Sequence, residues 1–172
     1  MLRILSCSIL LVMSLGCRPV PGPVAVDLGP IKQKVRGAFP GVPEIGISEL
    51  VERLDLEEKP EVIDVRSAEE FAVSRIPGAR SLPLEELTAQ ALLGLEIERE
   101  RSIVFYCSVG YRSAKATKRL RAAGFEQAVN LAGSIFEWAN AGHPLEGGNR
   151  VHPYDLDWGR YLREEFRAPI PK

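Results

Sequence analysis

Cysteine and histidine are scarce in this 172-residue chain, with three of the first and two of the second. Cys7 and Cys17 lie in an apolar N-terminal segment, so Cys107 stands alone in the body of the sequence and no disulfide framework can be drawn. His143 and His152 are isolated from it, which leaves no metal-ligand spacing, and no metal or other cofactor is expected. A basic excess is missing too. Lys and Arg number 22 against 23 Asp and Glu, a formal charge of −1, so nothing points to a nucleic-acid partner. Nor does the apolar run from Ile4 to Leu15 reach the roughly 20 residues that a membrane-crossing helix needs.

What remains is an ordinary composition for one soluble domain with extensions, 45% hydrophobic and 26% charged. Residues 1–17 read as a secretory signal: Arg3, the short apolar run, then Ser14-Leu15-Gly16-Cys17. That ending resembles the lipobox of bacterial lipoproteins, in which the cysteine is lipidated and becomes the first residue after cleavage. The family usually has Leu where Ser14 stands. The resemblance implies a membrane attachment through Cys17 and a place in the bacterial cell envelope, facing the periplasm or exterior; an ordinary signal peptide or an uncleaved anchor is the alternative. Residues 18–43 hold six prolines and four glycines and are expected to form a tether rather than core.

The folded part is expected over 44–145, with an aromatic-containing tail at 146–172. Ile45-Gly46-Ile47 and Glu61 to Val65 read as strands, and Ser48 and Ser67 as helix caps, the second with Glu70 at capping-box spacing. Pro83 to Leu93 carries Leu84, Leu87, Ala91 and Leu92 on one helical face. Ile103 to Tyr106 is an apolar strand, a basic helix follows and ends near Gly124, and Ala128 to Leu131 and a helix capped by Ser134 complete the series. Strands alternating with helices at this spacing predict an α/β fold: a mostly parallel sheet with helices on both faces and ligands at the strands' C-terminal ends. In the tail, Tyr154, Trp158 and Tyr161 recur at helical spacing; they are expected to dock back on the domain, a partner or membrane contact being the alternative.

Cys107 falls at the end of the central strand, just before a helix. By default a lone cysteine is a small buried hydrophobe. Held between a strand end and a helix N-terminus, however, it meets unpaired amides and the positive end of the helix dipole, which stabilise a thiolate. The loop through Ser108, Val109, Gly110, Tyr111 and Arg112 is then a candidate anion cradle: successive N–H groups curl inward, Gly110 permits the backbone angles, and Arg112 adds a fixed charge. Lys118, Arg119 and Arg121 read as a solvated face, while Lys115 reinforces the local field.

Three blocks carry a wider pattern: Val62 to Arg66 with Glu69-Glu70-Phe71 and Ile76-Pro77-Gly78-Ala79; Cys107 to Ser113; and Gly124-Phe125 through Asn130 to Ser134, Trp138 and Gly142-His143-Pro144. In this order and spacing they resemble a single-domain rhodanese, over roughly Glu44 to Leu145. The resemblance implies a rhodanese-like fold with a five-stranded sheet. It also implies sulfur transfer from thiosulfate or a related sulfur-bearing anion to a thiophilic acceptor, through a persulfide on Cys107, with the loop from Ser108 to Arg112 binding the substrate. A sulfur-carrier or binding module with little free thiosulfate activity is the alternative. Counting Cys107 to Arg112 gives six loop residues, similar to sulfurtransferases; the related phosphatases and arsenate reductases have one more. Asp64 and Arg66 match the first block and are expected to brace the loop by an ion pair rather than to take part in catalysis. Arg75 replaces the family's usual His, and His143 is expected to be structural.

Overall fold

The computed structural model describes residues 26–169. Its centre is β4 (Ile103–Tyr106), four apolar residues buried without alternation, as a strand covered on both faces must be. Around it β1 (Glu44–Ile45), β2 (Glu61–Asp64), β3 (Arg80–Ser81) and β5 (Ala128–Leu131) form one parallel sheet in the order β1-β5-β4-β2-β3. Alternate β4 side chains enter different cores. Ile103 and Phe105 pack with Ile63, Leu87, Leu120 and Phe125 on one side. Val104 and Tyr106 pack with Ile45, Leu50, Ile135 and Phe136 on the other. The fold is thus mixed α/β, all its strand pairings parallel.

Among the described residues seven α-helices accompany the sheet: α1 (Gly29–Ala38), α2 (Ile47–Leu54), α3 (Ala68–Val73), α4 (Ala89–Gly94), α5 (Tyr111–Ala122), α6 (Ser134–Asn140) and α7 (Leu156–Gly159). α3 starts on a complete capping box, with Ser67 and Glu70 each satisfying the other's backbone N–H.

The structure corrects four expectations. The tether expected over 18–43 gives way to α1 from Gly29: Leu28, Ile31 and Val35 are buried in the core under β1 and β5. Pro30 sits in the first turn, where its missing N–H costs no hydrogen bond, and no proline recurs until Pro40. Residues 1–25, with the signal segment, Cys7 and Cys17, lie outside the described residues. The helix expected over Pro83 to Leu93 shrinks to α4, capped by Thr88, because the carbonyls of Leu84 and Leu87 accept hydrogen bonds from Arg119 instead of helical amides. Arg121, expected on a solvated face, is instead half-buried and donates to Ala128 O at 3.2 Å, whereas Arg119 is exposed as expected even though it reaches the Leu84 and Leu87 carbonyls. Finally, α2 and α6 are preceded by Gly46 and Gly133 rather than capped by Ser48 and Ser134.

Beyond α6 the chain folds back on the domain. Arg75 and Glu146 exchange backbone hydrogen bonds at 2.9 Å and pair through their side chains. Asn140 at the end of α6 donates to Tyr161 O at 2.8 Å and accepts from Arg163 N at 2.9 Å. Val151 and Leu162 are buried, and Trp158, Tyr161 and Phe166 pack partly buried on the same core as α1.

Candidate active site

β4 delivers Cys107 to the C-terminal edge of the sheet, and the N-terminus of α6 holds the loop that follows. The Cys107 and Ser108 carbonyls accept from Ile135 N and Phe136 N at 3.2 and 3.1 Å. Cys107 N donates to Ser134 Oγ at 3.1 Å, which in turn donates to Leu131 O. With its carbonyls so engaged, the loop turns the Gly110 amide inward. Gly110 N donates to Cys107 Sγ at 3.2 Å and Ser113 Oγ to the same sulfur at 3.5 Å. Gly110 has a φ of 107°, a left-handed conformation that side-chain-bearing residues avoid. Gly133, at φ 71°, has a second constraint, since a β-carbon there would overlap the Glu137 side chain.

Arg112 lies in the first turn of α5, and its fixed charge is held by a partner. Its Nη1 and Nη2 grip the two carboxylate oxygens of Glu70, each at 2.7 Å, and Nη2 also donates to Ser108 Oγ at 2.9 Å. Ser108 Oγ in turn donates a hydrogen bond to Glu70 Oε1 at 3.1 Å. Glu70, only 3% exposed, therefore supports the cradle from 42 positions away. Sequence reasoning placed it in the first quoted block and gave it only a capping role, and placed Ser134 in the third block as a cap. Ser113 belonged to the quoted block without a role. Above Arg112 lies the ring of Tyr154, 5.0 Å from the guanidinium carbon.

Burial opposes ionisation of the Cys107 thiol. The charge of Arg112 and the hydrogen bonds from Ser113 and Gly110 outweigh it and hold the pKa below the ordinary cysteine value. Burial likewise opposes the Glu70 carboxylate, yet its bonds to Arg112 and Ser67 N hold its pKa down, so the pair stays ionised. Val109 is buried in the core and Tyr111 exposed, its ring meeting Phe39 edge-on at 4.9 Å.

Asp64 and Arg66 are brought together as an ion pair. Both are completely buried; Arg66 Nε lies 3.0 Å from each Asp64 oxygen, and Nη2 reaches Asp64 Oδ2 at 2.7 Å and Ser74 O at 2.6 Å. The guanidinium lies 5.6 Å from the ring of Tyr106, next to Cys107 in the chain. The His143 ring packs against Trp138 at a tilt of 36°, centroids 4.6 Å apart, and Arg75 lies over Phe71 at 4.8 Å.

Cys107 itself is 1% exposed and forms the floor of a cleft of ≈ 740 Å³ shared by the loop, α1 and the segment around α7. Chemically this is a thiol poised as a nucleophile, beside donors able to hold an anion and open to a small molecule.

The chain is 35% identical over 104 residues to a sulfurtransferase of Allochromatium vinosum, a match covering 60% of this chain and 94% of that protein. It is 35% identical over 109 residues to the human thiosulfate:glutathione sulfurtransferase, covering 57% of this chain and 94% of the human one. A Bacillus subtilis protein, YrkF, named as a candidate sulfur carrier, is 29% identical over 97 residues, covering 56% of this chain and 51% of its own. Among solved structures, the BH2092 protein of Bacillus halodurans superimposes with a TM-score of 0.56 at 25% identity, over 70% of this chain and 88% of that one. Residues 47–141 match the model of the rhodanese-like domain, and with more than half of its length inside that match the chain belongs to the rhodanese-like family.

Proposed function

We propose that this protein transfers sulfane sulfur through a persulfide on Cys107. The observation that carries the reading is the cradle: Gly110 N and Ser113 Oγ aimed at Sγ, beside the Arg112 charge, at the floor of an open cleft. The thiolate attacks the outer sulfur of thiosulfate or a related donor. The donor's S–S bond breaks, sulfite leaves with the electron pair, and the amides and Arg112 stabilise the anionic persulfide. A thiophilic acceptor then attacks that outer sulfur; the bond to Sγ breaks, and Sγ leaves with the electron pair as the thiolate. Cyanide serves as that acceptor in vitro.

The test is thiocyanate formation by the full chain from thiosulfate and cyanide, with Cys107→Ser alongside. Turnover by the wild type and none by the variant is expected; activity surviving in Cys107→Ser removes the mechanism. The likeness to a candidate sulfur carrier favours a second reading, in which a protein donor loads Cys107. Loading by such a donor without thiosulfate turnover selects it.

We propose further that Cys17 is lipidated and holds the domain at the bacterial cell envelope, a reading supported by Ser14-Leu15-Gly16-Cys17 after a short apolar run. Cys17→Ala is expected to move the protein from the membrane to the soluble fraction on cell fractionation; unchanged membrane association counts against it.

A further inference from the structure

Tyr154 lies outside the family match at 47–141, yet it lines the cleft together with Cys107 and Arg112. The Arg112 guanidinium carbon lies over its ring, 5.0 Å from the centroid. Glu70 and Ser108 already engage the Nη1 and Nη2 donors of Arg112. Tyr154 adds a contact of another kind, the electron-rich face of a ring against a delocalised cation. The ion pair it touches is unevenly buried: the Glu70 side chain is 4% exposed and that of Arg112 24%. Arg112 is thus the member that water reaches, and the ring stands against that member.

The backbone shows that this side chain is kept against local preference. Among the described residues three without the freedom of glycine adopt a left-handed φ: Glu96 at 60°, Ser134 at 50° and Tyr154 at 68°. Glu96 lies in an exposed turn after α4. Ser134 is at the active site, where its Oγ accepts from Cys107 N. Tyr154 is the bulkiest of the three, and at 51% exposure its burial offsets little of the strain. The conformation is fixed from both sides, because Tyr154 N donates to His152 Nδ1 at 3.1 Å and Asp155 caps α7 by accepting from Trp158 N at 2.8 Å. A glycine would adopt this backbone without strain. What a glycine lacks is the ring under Arg112.

We infer that Tyr154 is a positioning residue for sulfur transfer: its ring keeps the Arg112 cation beside the thiol and the incoming anion, so that the tail completes the active site. Glu70 and Ser108 hold the guanidinium by its nitrogens; the ring resists its tilting toward solvent and keeps water from that side. Tyr154 acts through Arg112 rather than on sulfur itself. For the anion this rests on the sulfur-transfer reading, whereas for the thiolate it does not.

The experiment compares Tyr154→Gly, Tyr154→Ala and Tyr154→Phe with the wild type in the full chain. It reads the pH midpoint of Cys107 alkylation by iodoacetamide, the rate at which thiosulfate forms the persulfide with release of sulfite, and the urea concentration of half-unfolding. Lys34, Asp157 and Arg160 of the cleft, and Glu70 paired with Arg112, are the same in every variant, so a moved alkylation midpoint reports the ring. Tyr154→Gly and Tyr154→Ala are both expected to raise that midpoint and to slow persulfide formation about fivefold, to the same extent. Their stabilities are expected to part, the glycine variant unfolding at higher urea because it relieves the left-handed φ. Tyr154→Phe, which returns the ring, is expected to recover most of the rate. Wild-type midpoints and rates in the glycine and alanine variants, rates that follow urea resistance instead of the ring, or a phenylalanine variant as slow as the alanine one overturn the inference. Absence of any persulfide in the wild type overturns sulfur transfer instead, and the alkylation midpoints then still decide whether Tyr154 holds Arg112 to the thiol.

Discussion

Cys107 ionises in competition between burial and the groups around it, and the second side wins. Haloacetamide alkylation of the wild type is therefore expected to rise with pH about a midpoint below the ~8.5 of an ordinary cysteine. Arg112→Gln removes the nearest positive charge and is expected to move that midpoint upward. Stability carries the same sign. The folded thiol ionises at lower pH than the unfolded one, so its contribution is full above the ordinary thiol pKa and disappears as pH falls through the folded value. Cys107, Gly110 and Arg112 were legible in the sequence because they are neighbours in one loop. Glu70 was not, since its meaning depends on a contact made across 42 positions, and locally it reads as a helix-capping residue, which it also is.

At the scale of elements, α1 shows how composition misleads. Six prolines and four glycines in 18–43 outweighed the pair that matters, Ile31 and Val35 at helical spacing between Pro30 and Pro40. Ile31→Ala is expected to destabilise the fold by about 2 kcal/mol, the low end of core truncations because the site borders a cleft. Urea denaturation measures it, and a freely moving tether would show no loss. β4 was legible for the opposite reason: four apolar residues in sequence can satisfy only a strand with both faces covered. The lost first half of the helix expected from Pro83 lay beyond sequence reading, since what displaced it was a guanidinium from α5 claiming the Leu84 and Leu87 carbonyls.

At the scale of the molecule, the alternation of strands and helices was enough to expect a parallel sheet with its site at the strand ends, and the structure has that sheet. That the tail aromatics dock back on the domain was readable from their spacing, but the contacts that fix the tail were not, because they depend on Asn140, Arg75 and Glu146 meeting partners distant in the chain. That arrangement also divides the chain's two tryptophans. Trp138 is sealed against His143 at 3% exposure, whereas Trp158 borders the cleft. Indole emission responds to nearby polarity and to quenching by sulfur, so the two rings report on different places. Thiosulfate is expected to change the fluorescence of the wild type and to leave Trp158→Phe and Cys107→Ser unaltered. A signal that persists in Trp158→Phe would locate the change elsewhere; its loss would make the tail an unlabelled optical gauge of each sulfur arriving and leaving.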